Sequence, residues 1–284
     1  MALEHVFARE EILERLRTTI RQGQPIIGAG CSCGLVAKCA EAGGVDLLIV
    51  YSTGRSRLMG LPTTPIGHAN PVTLEMFDEI ANVVNHTPII GGVEATDPTF
   101  MSLTRLIREF RETGYAGIIN FPTLGNQPER SAMREDVGLG FSREVEMIRL
   151  ARKEEYFTLA YVFTVEQAQR MAAAGVDVQV AHVGWTAGGL AGRSRTGAPS
   201  YAQAAEQVQA MIDATLRENP ACLCLAHGGP YATPDDTRHL YSDTTAVGFL
   251  GASSIERIPI EQAVRDAAAA FKRVPFKRVP FKRP

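Results

Sequence analysis

Short apolar runs alternate with amphipathic stretches along nearly the whole chain. Residues 8–22 place Ile12, Leu13, Leu16 and Ile20 at helical spacing, which predicts a leading amphipathic helix ended by Gly23. Eight apolar runs follow, at 25–30, 46–51, 88–93, 116–121, 157–162, 176–183, 222–226 and 247–250. Each is followed by helical spacing, at 35–42, 70–84, 100–112, 142–155, 165–174, 201–217, 234–241 and 259–271. Asn70-Pro71 predicts an N-cap and first-turn proline, and Asp97 before Pro98 predicts a cap for the helix after it.

Uninterrupted apolar strands separated by helices imply a parallel sheet covered on its outer face. Eight such units in 284 residues predict the α/β class. Within it they favour a closed (β/α)8 TIM barrel, typically about 250 residues, with an additional N-terminal helix plugging its bottom. An open doubly wound sheet is the alternative, but no Gly-x-Gly-x-x-Gly lies between a strand and a helix. The barrel is expected to occupy residues 1–271 as one domain. After it, Phe-Lys-Arg-Val-Pro repeats from Phe271 and Phe276, and its prolines and paired charges predict a disordered or peripheral basic tail over 272–284.

Composition narrows the partners. A formal charge of −2 argues against nucleic acid. No stretch approaches the roughly 18 apolar residues of a membrane span, and the start lacks the pattern of a signal peptide. A cytoplasmic protein is the expectation. Five cysteines do not suggest a disulfide framework. Cys222 and Cys224 alternate along a strand, and Cys31-Ser32-Cys33 follows another; buried reduced thiols are favoured over Cys31 as a nucleophile.

In such a barrel the chemistry lies at the carboxyl ends of the strands. Those ends offer Cys31 and Ser32, Tyr51, Ser52 and Thr53, Glu94, Asn120, Tyr161, His182, His227, and Ser253 with Ser254. His182 closes an apolar strand and opens a loop containing Thr186, Gly188, Gly189, Arg193 and Arg195, which reads as a titratable group under a movable cover. A histidine merely hydrogen-bonded below a surface loop is the alternative. Gly228 and Gly229 after the seventh strand, and the small residues around Ser253 and Ser254, suggest backbone N–H groups that approach an anion; tight turns would also explain them. Glu94 suits a general base or a Mg²⁺ ligand, and a salt bridge to Arg55 or Arg57 suits it equally.

Several ordered motifs carry a resemblance. They are Gly28-Ala29-Gly30, Tyr51-Ser-Thr-Gly-Arg-Ser-Arg57, Gly92-Val-Glu-Ala-Thr-Asp-Pro98, Asn120-Phe-Pro-Thr123, Glu144-Val-Glu-Met-Ile148, Ala181-His-Val-Gly-Trp-Thr-Ala-Gly-Gly189 and Gly251-Ala-Ser-Ser-Ile-Glu-Arg-Ile-Pro259. From about Pro25 to Phe271 the chain resembles the phosphoenolpyruvate hydrolase-like TIM-barrel family. That family is also described as a signal-transduction barrel and is similar to the C-terminal domain of a plant antiviral protein. The resemblance implies distant similarity to phosphoenolpyruvate mutases and isocitrate lyases, which work beside a carboxylate with Mg²⁺. The chain departs from the pattern at Ser52, where Asn is usual, at Trp185 in place of Leu, and at Glu94 in place of Cys. It also lacks the Lys-Cys-Gly motif of the mutases and lyases.

The expected function is a hydrolase or lyase of a small carboxylated or phosphorylated metabolite near an enolpyruvyl-like group. Arg55 and Arg57 would hold the anion. His182 and His227 would trade protons, with Glu94 and Tyr161 as further catalytic candidates. Tyr51, Ser52, Ser32, Asn120, Thr186 and the loop glycines would complete the substrate site, and residues 184–199 would close over it. A non-catalytic sensor using the same pocket is the alternative, a protein-interaction scaffold a weaker one. Homo-oligomeric association is expected by analogy.

Overall fold

The computed structural model describes residues 5–192 and 198–276. Its strands are β1 (Ile26–Gly30), β2 (Leu47–Val50), β3 (Ile89–Gly92), β4 (Gly117–Ile119), β5 (Phe157–Val162), β6 (Val178–His182), β7 (Leu223–His227) and β8 (Gly248–Gly251). They pair in parallel in sequence order, and β8 returns to β1 with Ile26 opposite Gly248 and Gly28 opposite Leu250. The expected (β/α)8 barrel is the fold, and the open sheet is excluded by that closing pair.

Strand side chains alternate, so one parity faces the barrel axis and the other the helices. Leu47 and Ile49 of β2, Phe157 and Leu159 of β5, Val178 and Val180 of β6, and Leu225 of β7 fill the interior. Leu48, Val50, Ala160, Val162, Ala181 and Ala226 pack outward in a second core. Two residues past each interior layer, the same parity carries Tyr51, Tyr161, His182 and His227 to the carboxyl mouth. Four site candidates thus share one rim because they share one parity.

Helix α1 (Arg9–Arg21) closes the other end. Its buried Ile12, Leu13 and Leu16 belong to the interior cluster, each contributing about 1.5–3 kcal/mol by burial. Arg9 Nε and Nη2 donate to the buried Asp177 carboxylate at 2.9 and 2.7 Å, tying the plug to the start of β6.

The remaining helices are α2 (Gly34–Ala42), α3 (Thr53–Leu58), α4 (Ala69–Glu75), α5 (Phe77–Ala81), α6 (Leu103–Thr113), α7 (Pro128–Glu135), α8 (Phe141–Lys153), α9 (Val165–Ala173), α10 (Tyr201–Glu218), α11 (Asp236–Asp243) and α12 (Arg257–Arg273). Three details differ from the sequence reading. Asn70 lies inside α4, after an N-cap at His68, and its amide bridges to the Glu94 backbone and to Asp97 Oδ2. Asp97 caps no helix: it folds onto Thr99, and Ser102 caps α6 through Arg105 N. Helices α3 and α7 carry no apolar periodicity that marks them; of α7 only Ser131 is buried.

Helix α12 begins two residues before Pro259 and runs past Phe271 to Arg273, so the sequence boundary at 271 falls within it. Its buried residues are Arg257 and Ile258, whereas Val264 and Phe271 are exposed. Residues 277–284, most of the repeated tail, lie outside the described residues. Among the described residues no helix is long and apolar enough to cross a membrane.

Candidate active site

A cleft of about 390 Å³ opens at the carboxyl ends of the strands. Its walls include Tyr51, Arg57, Phe121, Tyr161, His182, Trp185, Thr186, His227, Ser253 and Arg257. Aromatic rings form the floor: Tyr51 and Phe121 have centroids 4.8 Å apart, Phe121 and Tyr161 5.5 Å, and Tyr161 lies 5.3 Å from His182 and 5.2 Å from His227. Burial raises the pKa of Tyr51, and carries Tyr161 well above the ordinary phenol range, with Tyr51 beside it adding to the effect. Both phenols keep their protons at neutral pH.

The imidazoles of His182 and His227 sit on adjacent, directly opposed strand residues, with centroids 4.5 Å apart. Each tautomer is set by the partner of Nδ1. His227 Nδ1–H donates to the Leu250 carbonyl at 2.6 Å, which leaves Nε2 with a lone pair in the neutral ring. His182 Nδ1 accepts from the Gly184 amide at 3.2 Å, which puts the ring proton on Nε2. Burial pushes the pKa of His182 well down, with His227 adding to the shift, and lowers His227 to about 4. The neutral pair therefore offers one acceptor and one donor.

Two guanidiniums line the same cleft. Arg57, from α3, is buried and donates Nε–H to Glu256 Oε2 at 2.8 Å, while its guanidinium lies 5.4 Å from the Tyr51 ring centre. Arg257 Nη1 donates to Glu261 at 2.8 Å and Nη2 to the Gly188 carbonyl at 3.0 Å. The sequence reading gives no site role to Glu256, Arg257 or Trp185, although Trp185 stands out there as a departure from the family pattern. Glu256 and Arg257 stand within the motif running from Gly251 to Pro259, five and six residues past the end of β8.

Of the expected site residues, Tyr51, Arg57, Tyr161, His182, Thr186, His227 and Ser253 line the cleft. The others do not. Arg55 is exposed on the outer side of α3, because two residues along a helix turn about 200° away from Arg57. Ser32, Ser52 and Ser254 lie off the cleft wall, their buried hydroxyls without a protein hydrogen-bond partner among the described residues. Asn120 is structural: its amide receives Tyr161 N at 2.7 Å and donates to Tyr161 O and to Glu144.

The glycines were expected to bring amides to an anion, and they bring loops together instead. A Cβ on Gly228 would strike the Gly184 carbonyl, and the Gly229 amide donates to that carbonyl at 2.9 Å. At Gly189, whose φ is +79°, a Cβ would strike Arg257 and Glu261. Positive charge at the mouth comes from guanidiniums. Arg193 and Arg195 lie outside the described residues.

Glu94 stands off the cleft as well. Burial raises its pKa, and Asp97 beside it does so further; Arg134, Arg130 and His68 act in the opposite direction. Its expected pairing with Arg55 or Arg57 is replaced by the Arg57–Glu256 pair. Mg²⁺ requires oxygen donors, usually including one or two carboxylates. No carboxylate lines the cleft, and no group of three acidic, His or Cys residues among the described residues is placed to hold a metal. Glu256 is engaged by Arg57, and Glu144 by Asn120, Thr123 and the Leu124 amide. These residues do not fit the cation. Burial also keeps Cys31 inert by driving its thiol pKa far up.

Comparison with known proteins agrees with this architecture. The susceptible protein tm-1(GCR26) of Solanum lycopersicum is 40% identical over 269 residues, covering 93% of this chain and 35% of that protein. The resistance protein Tm-1(GCR237) of the same plant is 39% identical, covering 94% of this chain and 36% of that protein. The chain thus spans about a third of these relatives' length. Among solved structures, phosphonopyruvate hydrolase in complex with oxalate and Mg²⁺ superposes with a TM-score of 0.57 at 20% identity, covering 92% of this chain and 87% of that one. A 2,3-dimethylmalate lyase of the phosphoenolpyruvate mutase/isocitrate lyase superfamily gives 0.61 at 17% identity, covering 95% and 89%. At those identities the structures share the fold. The family model described as phosphoenolpyruvate hydrolase-like matches residues 11–274, from the plug helix through α12, and the chain belongs to that family.

Proposed function

We propose that the barrel is a hydrolase or lyase acting on a small carboxylated or phosphorylated metabolite bound in the cleft. The observation that carries this reading is the His182–His227 pair, two neighbouring rings that offer an Nε2 lone pair and an Nε2–H in the cleft that Arg57 and Arg257 also line. Arginine forks suit carboxylate and phosphoryl oxygens. His227 Nε2 accepts the proton released by water or by the substrate, and His182 Nε2–H donates to the oxygen on which charge develops. Thr186 and Ser253 orient the substrate, and Tyr161 stays a neutral phenol that can donate.

Each guanidinium already faces a carboxylate, Arg57 with Glu256 and Arg257 with Glu261. An incoming anion therefore meets little uncompensated fixed charge, and it favours protonation of the nearest imidazole. Anion binding draws the His227 pKa up from about 4 toward the operating pH. The residues assign no step to Mg²⁺. Assembly as a homo-oligomer belongs to the same proposal and is checked by light scattering.

The test is turnover of a panel including phosphonopyruvate, oxaloacetate and 2,3-dimethylmalate, followed by NMR, with His227→Ala beside the parent. Turnover lost in His227→Ala supports the reading. Anion binding without turnover of any member favours the sensor, and no anion binding defeats both.

A further inference from the structure

We propose that Glu261 is a positioning residue that fixes Arg257 and residues 188–191, in the loop after β6, at the cleft. This rests on the cleft reading above and adds a residue that touches no substrate. Arg257 is the first residue of α12 and Glu261 lies one turn later, a spacing that stacks the two side chains. The Glu261 carboxylate takes three donors: Arg257 Nη1 at 2.8 Å and the Ala191 amide at 3.3 Å on Oε1, and the Leu190 amide at 2.6 Å on Oε2. Arg257 completes the circuit by donating to the Gly188 carbonyl at 3.0 Å. One carboxylate thus orients a cleft guanidinium and clamps the loop whose Thr186, Ala191 and Gly192 form part of the cleft wall.

The loop sequence is built for this contact. At Gly189 a Cβ would collide with both Arg257 and Glu261, and its φ of +79° is one that side chains disfavour. At Gly192 a Cβ would collide with the Gly188 carbonyl and approach Arg257 Nη2. General support of α12 does not account for the arrangement, because residues 262–276 beyond Glu261 are exposed. A long, flexible arginine at the mouth would otherwise lose rotamer freedom each time an anion bound. Glu261 removes that cost beforehand.

Glu261→Ala and Glu261→Gln test this beside the parent, with Val264→Ala as a control on the exposed part of α12. Amide hydrogen exchange at Leu190 and Ala191 reads the loop, and oxalate titration calorimetry reads the cleft. Expected in Glu261→Ala are exchange at least about tenfold faster at both amides and oxalate affinity about tenfold weaker, because the lost orientation of Arg257 outweighs the positive charge that the change uncovers, and tighter oxalate binding overturns the positioning role. Glu261→Gln, which keeps one carbonyl oxygen, should recover part of both, and Val264→Ala should change neither. Unchanged exchange overturns the loop contact. Faster exchange or a lowered melting temperature with unchanged oxalate affinity overturns the positioning role. If the parent itself binds no oxalate, the cleft reading fails, while the exchange rates at Leu190 and Ala191 still decide the clamp.

Discussion

Acidification should remove stability through the buried imidazole pair, by an amount set by the burial of His227. That ring is 6% exposed, donates Nδ1–H to Leu250 and has its pKa lowered from 6.5 to about 4. In the unfolded chain the imidazole titrates near 6.5. Between about pH 6.5 and 4 the unfolded state therefore binds a proton that the native state refuses. The stabilisation is whole above pH 6.5 and is lost as pH falls toward 4. At about 1.4 kcal/mol per pH unit the full loss is about 3 kcal/mol, and about 2 kcal/mol is gone by pH 5.

Other groups overlap this window, and the assay must separate them. His182 acts in the same direction as His227. Glu144 acts oppositely: burial raises its pKa to about 7, so its contribution is whole below the ordinary carboxylate pKa and is lost as pH rises toward 7. Urea unfolding of the parent and of His227→Gln, at steps from pH 7.5 to 4.5, cancels Glu144 in the difference. The parent's advantage over the variant should shrink by about 2 kcal/mol between pH 7 and 5. A difference independent of pH would show His227 titrating as it does in water, and would refute the lowering of its pKa by burial.

Three further outcomes are expected. Arg57→Met leaves Glu256 buried and unpaired and should cost about 3–5 kcal/mol in urea unfolding, whereas Arg57→Met with Glu256→Gln should restore most of it; a single variant as stable as the parent would contradict the buried pair. EDTA should leave oxalate affinity unchanged, and Glu94→Gln should leave calorimetric Mg²⁺ titrations as they are in the parent; an affinity that collapses in EDTA would overturn the metal-free assignment. Removing residues 274–284 should shift the melting temperature by no more than a few degrees, because Val274 and Phe276 are exposed, and a larger drop would show that the tail packs.

Much of the fold was legible because its signals are local. Apolar runs set the strands, helical spacing set most of the helices, and eight repeats of the pair set the barrel. The plug helix was readable from Ile12, Leu13 and Leu16, and strand parity carried Tyr51, Tyr161, His182 and His227 to the mouth. Helices α3 and α7 escaped because they bury too little apolar surface to leave a period. Asn70 and Asp97 carry the side chains of caps, yet they were taken up by contacts to each other across 27 residues.

What barrel closure alone decided is which charges meet. Arg57 and Glu256 are 199 residues apart in sequence and in hydrogen-bond contact once β8 lies against β1. Arg257 reaches Gly188 across 69 residues, and the glycines of that loop serve that approach. The tautomers of the two histidines likewise depend on Leu250 and Gly184, partners supplied by the neighbouring strand and the turn. Hydrophobic period is a property of neighbours along the chain, so it survives in the sequence. Ion pairs, desolvation and proton placement belong to neighbours in space, and only the closed barrel brings those together.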